Sequence, residues 1–291
     1  MPRCYRSLIV GPGPGGHRRD PRRQQRARGE GNALSAGTDA ILETEDLTKE
    51  FAGFTAVRSV ALRVARGTIH ALIGPNGAGK TTCFNLLTKF LQPTRGRIFY
   101  NGRDITSLAP ADVARLGLVR SFQISAVFPH LTVLENVRIA LQRRRGSSFD
   151  FWHSTKVLDQ FNERAMTLIT DVGLAQSAHL TAVELPYGRK RALEIATTLA
   201  LDPELLLLDE PTAGMGHEDI GRIAALIKSV AANRTVLMVE HNLSVVADLC
   251  DRITVLTRGR VLAEGDYDTV SANPEVREAY LGVGHQEAVH A

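Results

Sequence analysis

The spacing of apolar positions changes several times along the chain. From about residue 41 it is strand-like, and Val60, Leu62 and Val64 recur every second position, as on a half-buried strand. This predicts an antiparallel β layer at the start of the fold. Residues 68–73 form a short apolar strand that enters a glycine-rich turn. A helix should follow, with Phe84, Leu87, Phe90 and Leu91 on one face. From about 124 to 198 the helical period dominates, with Val157, Leu158, Phe161, Ala165 and Leu168 at helical spacing. Short β runs then alternate with helices: 205–208, a helix through Ile220, Ile223, Leu226 and Val230, and 235–239. Such αβ units build a largely parallel sheet. Two last β runs, 253–256 and 260–263, are joined at Arg258-Gly259, and a short amphipathic helix over 276–281 is predicted to close the domain.

The 291 residues are 44% hydrophobic and 23% charged, so the chain can bury a sizeable core and is neither disordered nor fibrous. Its net charge of +4 is unevenly placed. Residues 1–38 hold eight Arg against Asp20 and Glu30, a surplus of +6, which leaves the remainder at −2. No nucleic-acid partner is therefore expected for the folded part. The first 38 residues read as a flexible Arg/Gly/Pro-rich leader without the apolar centre of a secretory signal. Cys4, Cys83 and Cys250 are too few and scattered for a disulfide framework or a paired-cysteine metal site. Apolar runs such as 205–208 fall far short of the roughly 20 residues that span a bilayer.

Two motifs carry chemistry. Gly74-Pro75-Asn76-Gly77-Ala78-Gly79-Lys80-Thr81 fits the phosphate-loop pattern of a Gly, four residues, then Gly-Lys-Thr, placed between a strand and a helix. Its backbone N–H groups can curl around phosphate oxygens, Lys80 can reach the β and γ phosphates, and Thr81 can ligate Mg²⁺. The run Leu205-Leu206-Leu207-Leu208-Asp209-Glu210 sets two carboxylates at the end of a buried strand, where open α/β sheets collect ligands. Asp209 is placed to hold Mg²⁺ and Glu210 to orient and deprotonate an attacking water.

Further segments give the chain a specific resemblance. Ser121-Phe122-Gln123, Leu185-Pro186-Tyr187-Gly188-Arg189-Lys190-Arg191, Asp209-Glu210-Pro211-Thr212 and Val239-Glu240-His241 fall in the order of the ABC ATPases, over about residues 41–281. Within that family the chain looks most like the ATP-binding subunits of branched-chain amino acid importers. Phe122-Gln123-Ile124, Leu131-Thr132-Val133-Leu134-Glu135-Asn136-Val137, Ala213-Gly214-Met215-Gly216-His217-Glu218-Asp219 and Glu278-Ala279-Tyr280-Leu281-Gly282 carry that closer likeness. The resemblance implies an α/β ABC cassette: a phosphate-loop core on a largely parallel sheet, an N-terminal antiparallel β layer and a helical subdomain near 124–198. The cassette would occupy 39–283, with a C-terminal tail over 284–291.

Roles follow from the resemblance residue by residue. Gln123 would contact Mg²⁺ and the attacking water and join the core to the helical subdomain, and His241 would sense the γ phosphate. Phe51, or its neighbour Phe54, would stack on adenine. Residues 74–81, with Thr82, would surround the nucleotide, and Tyr187 and Gly188 would close over the ATP of a second subunit. Two departures stand out. Pro186 replaces the signature serine and lacks an N–H, and Gly216 stands where many relatives carry an Asp. The implied protein hydrolyses ATP with Mg²⁺ at the cytoplasmic face of a membrane. It would work with a second ATP-binding subunit, two permease subunits and an extracytoplasmic solute-binding protein. A lipid or lipopolysaccharide exporter subunit and a non-membrane ABC ATPase are the alternative readings.

Overall fold

The computed structural model describes residues 40–121, 127–142 and 159–287, with side chains through residue 280. Two sheets organise them. The first is antiparallel, in the order β2-β1-β5-β6 with β3 also on β1, from β1 (Ala40–Phe51), β2 (Phe54–Val60), β3 (Arg63–Ala65), β5 (Arg95–Tyr100) and β6 (Arg103–Asp104). The second has the order β11-β10-β4-β9-β8-β7, from β4 (Ile69–Ile73), β7 (Leu118–Ser121), β8 (Leu205–Asp209), β9 (Thr235–Val239), β10 (Arg252–Thr257) and β11 (Arg260–Gly265). Its pairs are parallel except β10 with β11.

The central strands are buried on both faces, so their sequences are continuously apolar. Leu206 and Leu208 of β8 enter the core shared with the helices α3 (Val133–Gln142), α4 (Asn162–Asp171), α5 (Tyr187–Leu199) and α6 (His217–Ala231). Leu205 and Leu207 enter the opposite core, with Phe84 and Leu87 of α1 (Lys80–Leu87) and the inner face of the antiparallel sheet. Ala71 and Leu72 of β4, and Met238 and Val239 of β9, divide between the cores in the same way.

Three sequence expectations are corrected. The positions Val60, Leu62 and Val64 do not share one strand, because the chain leaves β2 after Val60 and resumes pairing in β3. Thr44 bridges the break: its Oγ1 donates to the Val60 carbonyl (3.0 Å) and accepts from Leu62 N–H (2.9 Å). The helix after the phosphate loop ends at Leu87, since Lys89 turns left-handed at φ 65°. Phe90 is therefore 52% exposed and does not join Phe84 in the core. The closing helix is also longer than predicted, with α9 running Pro274–Glu287 after α8 (Tyr267–Ala272). The positions Val157 and Leu158 lie outside the described residues, whereas Ala165 and Leu168 are buried on α4 as its period requires.

Candidate nucleotide site

The loop 74–79 leaves the carboxyl end of β4 and feeds α1. It folds on itself through Ala78 N–H donating to the Pro75 carbonyl (3.1 Å), and Cys83 N–H returns to the Gly79 carbonyl (2.8 Å). Gly79 is left-handed at φ 99°, and a Cβ there would stand 2.5 Å from the Ala56 carbonyl of β2. Gly259, at φ 77° in the turn between β10 and β11, presses on the same carbonyl, with a Cβ distance of 2.6 Å. Gly259 N–H donates to the Ala78 carbonyl (3.0 Å), and Arg58 N–H to the Gly259 carbonyl (2.8 Å). The loop is thus fastened to both sheets.

Lys80 is 9% exposed, and its Nζ donates to the carbonyls of Gly74 (2.7 Å) and Pro75 (3.1 Å). Burial holds this ammonium below the ordinary lysine range, opposed by the carboxylates of Glu210 and, more weakly, Asp209. The structure therefore brings Lys80, Asp209 and Glu210 into one electrostatic neighbourhood. Asp209 is 2% exposed and ion-paired through Oδ2 with Arg120 of β7, whose guanidinium also donates to Asn85 Oδ1 (2.6 Å). Glu210 lies one residue beyond β8 with a left-handed φ of 46°, its N–H donating to the Val239 carbonyl (2.9 Å).

The adjacent strand β9 delivers His241, which is exposed just before α7 (Leu243–Leu249). Asn242 caps that helix, its Oδ1 accepting from the N–H groups of Ser244 (3.1 Å) and Val245 (3.4 Å). Thr81 and Thr82 occupy the first turn of α1, Thr81 exposed and Thr82 half-buried. Asn76 and Gly77 are exposed at the crest of the loop, and Pro75 is half-buried. Phe51 and Phe54 face each other across the β1–β2 hairpin, 42% and 67% exposed, so neither is a core residue. Lys49 Nζ lies 5.2 Å from the Phe51 ring centroid.

Tyr187 and Gly188 begin α5, with Pro186 before them. Their contacts run to other parts of the chain: Tyr187 OH donates to the Ala213 carbonyl (3.2 Å), and the Asp219 carboxyl carbon lies 2.6 Å from where a Cβ on Gly188 would stand. Phe122 and Gln123 lie outside the described residues. Sequence reading missed Arg120, Arg191 and the acceptor role of Glu240. The one available signal for Arg120 was a long cation inside the apolar run Leu118-Val119-Arg120-Ser121.

A nucleotide loop at the end of one parallel strand, with two carboxylates at the end of another, defines an α/β phosphate-loop ATPase. The ABC transporter family model matches residues 57–213, and the chain belongs to that family as an ATP-binding subunit. A second model, described as the branched-chain amino acid ATP-binding cassette transporter, matches residues 260–286. The high-affinity branched-chain amino acid transport ATP-binding protein BraF of Pseudomonas aeruginosa is 39% identical over 249 residues, covering 83% of this chain and 98% of the relative. LivG of Escherichia coli, a protein of the same description, is 37% identical with the same coverage. Among solved structures, the ADP conformation of MJ1267, an ATP-binding cassette of an ABC transporter, superposes with a TM-score of 0.75 at 31% identity. The match covers 84% of this chain and all of that one.

Proposed function

We propose that this chain powers an importer for branched-chain or other hydrophobic amino acids, hydrolysing MgATP in a head-to-tail pair with a second ATP-binding subunit. The observation that carries the ATPase chemistry is the position of the phosphate loop with Lys80 at the carboxyl end of β4 and of Asp209 and Glu210 at the carboxyl end of β8, in one parallel sheet. The names of its relatives and the match over 260–286 support the substrate class.

The donor set fits Mg²⁺ that arrives with the nucleotide. Among the described residues, no group of three His, Cys, Asp or Glu side chains is placed to hold a metal ion alone. Thr81 and Asp209 offer hard oxygen donors, and Mg²⁺ habitually completes its shell with phosphate and water. Bound there, the ion would neutralise charge on the phosphates. The loop amides and Lys80 would hold the β and γ phosphates, Glu210 would take the proton of the attacking water, and His241 would donate to the γ phosphate. Gln123 would complete the metal and water contacts, while Phe51 would flank the adenine. Tyr187 and Gly188 would close over the nucleotide held by the other subunit.

Residues 39–283 would form the ATPase domain, and the helical part near 124–198 would meet two permease subunits. A groove of about 630 Å³ lined by the segment just after α1, by α2 (Pro110–Arg115), β7, α3 and α5 supports this placement, with Phe90 and Phe128 exposed at its wall. No helix among the described residues is long and apolar enough to cross a membrane. By the likeness to ATP-binding subunits of membrane transporters, the work would be done at the cytoplasmic face, with an extracytoplasmic binding protein delivering the amino acid. Glu210→Gln is expected to retain ATP while losing roughly 10²-fold or more in turnover. Measuring nucleotide affinity and phosphate release on the same preparation tests this, and wild-type hydrolysis would remove Glu210 from its role.

A further inference from the structure

Glu240 sits between β9 and His241 and is fully buried, at 0% exposure. Its carboxylate collects four hydrogen bonds. Oε1 accepts from the N–H (3.0 Å) and Oγ1 (2.6 Å) of Thr212, and Oε2 accepts from the N–H groups of His241 (3.0 Å) and Asn242 (3.2 Å). Burying a carboxylate is costly unless its lone pairs are taken up by donors, and here they are. The donors come from two different loops. Thr212 lies two residues beyond Glu210 after β8, and His241 begins the segment after β9. One buried side chain thus staples together the segments that present Glu210 and His241.

The staple matters because Glu210 is held in a backbone region that non-glycine residues leave when they are free to do so. Its N–H is bound to Val239 on one side, and its carbonyl accepts from the Arg191 guanidinium (3.3 Å) on the other. Arg191 is itself buried on α5 and ion-paired with Glu194 (2.6 Å). Thr212 and Glu240 fix the chain just downstream. A strained conformation persists only when its surroundings over-determine it, and these contacts supply that constraint.

We infer that Glu240 is a positioning residue for ATP hydrolysis, which sets the Glu210 carboxylate and the His241 imidazole in register across the reacting phosphate. The inference rests on the ATPase reading of this site. Glu240 is too deeply buried to touch nucleotide, so its effect should fall on turnover rather than on binding.

The test uses the full-length chain and four substitutions. Glu240→Gln places an amide NH₂ against backbone donors, and Thr212→Val removes one hydroxyl bond at nearly constant shape. Thr212→Ser restores that hydroxyl, and Glu210→Gln is the reference. Expected are a fall in kcat of about tenfold or more for Glu240→Gln and about threefold or more for Thr212→Val, with KM for ATP and affinity for a fluorescent ATP analogue within about twofold. Thr212→Ser should recover the wild-type kcat. If Glu240→Gln does not fold, the Thr212 pair decides alone. Wild-type kcat in Thr212→Val, or losses shared equally between kcat and nucleotide affinity, would overturn the inference while an inactive Glu210→Gln left the ATPase reading standing. Full activity in Glu210→Gln would remove that reading first.

Discussion

At the scale of single residues, polar groups buried in an apolar interior divide into those that are satisfied and those that are not. His70 of β4 is fully buried, with Nε2 2.8 Å from Thr254 Oγ1 of β10. Its Nδ1 has no hydrogen-bond partner among the described residues. Burial, assisted by the Arg252 cation, lowers its pKa from 6.5 to about 4. The folded chain therefore refuses a proton that the unfolded chain accepts between those values. The contribution to stability is complete above pH 6.5 and is lost as pH falls towards 4, by about 3 kcal/mol in all. Urea unfolding at stepped pH, compared with His70→Gln, should show the wild type losing stability faster across that window. Parallel curves would mean that His70 is not the titrating group.

At the scale of elements, the sheet order explains why β8 reads as unbroken leucine. Leu206 and Leu207 are neighbours in sequence but belong to different cores, each about 1% exposed or less. Leu206→Ala and Leu207→Ala should each cost about 2–5 kcal/mol. Denaturant midpoints would check this, since a strand wetted on one face would lose little from one of the two. The same two-sided burial made β4, β8 and β9 legible from composition alone, and the phosphate loop and the Asp209-Glu210 pair came with them. Other features lay beyond local pattern. The break between β2 and β3 depends on the Thr44 side chain in another strand, and the stop after Leu87 depends on a backbone turn at Lys89 that no special residue announces. Arg120 and Glu240 acquire meaning only in the folded chain: Arg120 meets Asn85 of α1 and Asp209 of β8, and Glu240, besides the adjacent N–H groups of His241 and Asn242, reaches Thr212 beyond β8.

For the whole molecule, the contacts that fix the start of α5 run to Ala213 and Asp219, and the phosphate loop is fastened instead to β2 and the β10–β11 turn. A phosphoryl group in transfer must be surrounded by donors, and the segment around Gly188 is proposed to serve the pocket of a second chain. Specific activity should therefore rise with protein concentration, about doubling for each doubling while the paired form is scarce. Light scattering alongside phosphate release makes the check, and a verified monomer working at the full rate would defeat the proposal. Pro186, at φ −56° with no N–H to offer, leaves the donors of α5 to the residues that follow it.

The Ala56 carbonyl, clasped between Gly79 and Gly259, has a bearing on how such chains are recombined. Half of the phosphate loop's footing belongs to the far end of the sequence, close to the segment that marks the branched-chain subgroup. A chimera spliced between β9 and β10 would inherit its clasp from one parent and its loop from the other. Such hybrids should work only when the two parents agree at β2 and at this distant turn.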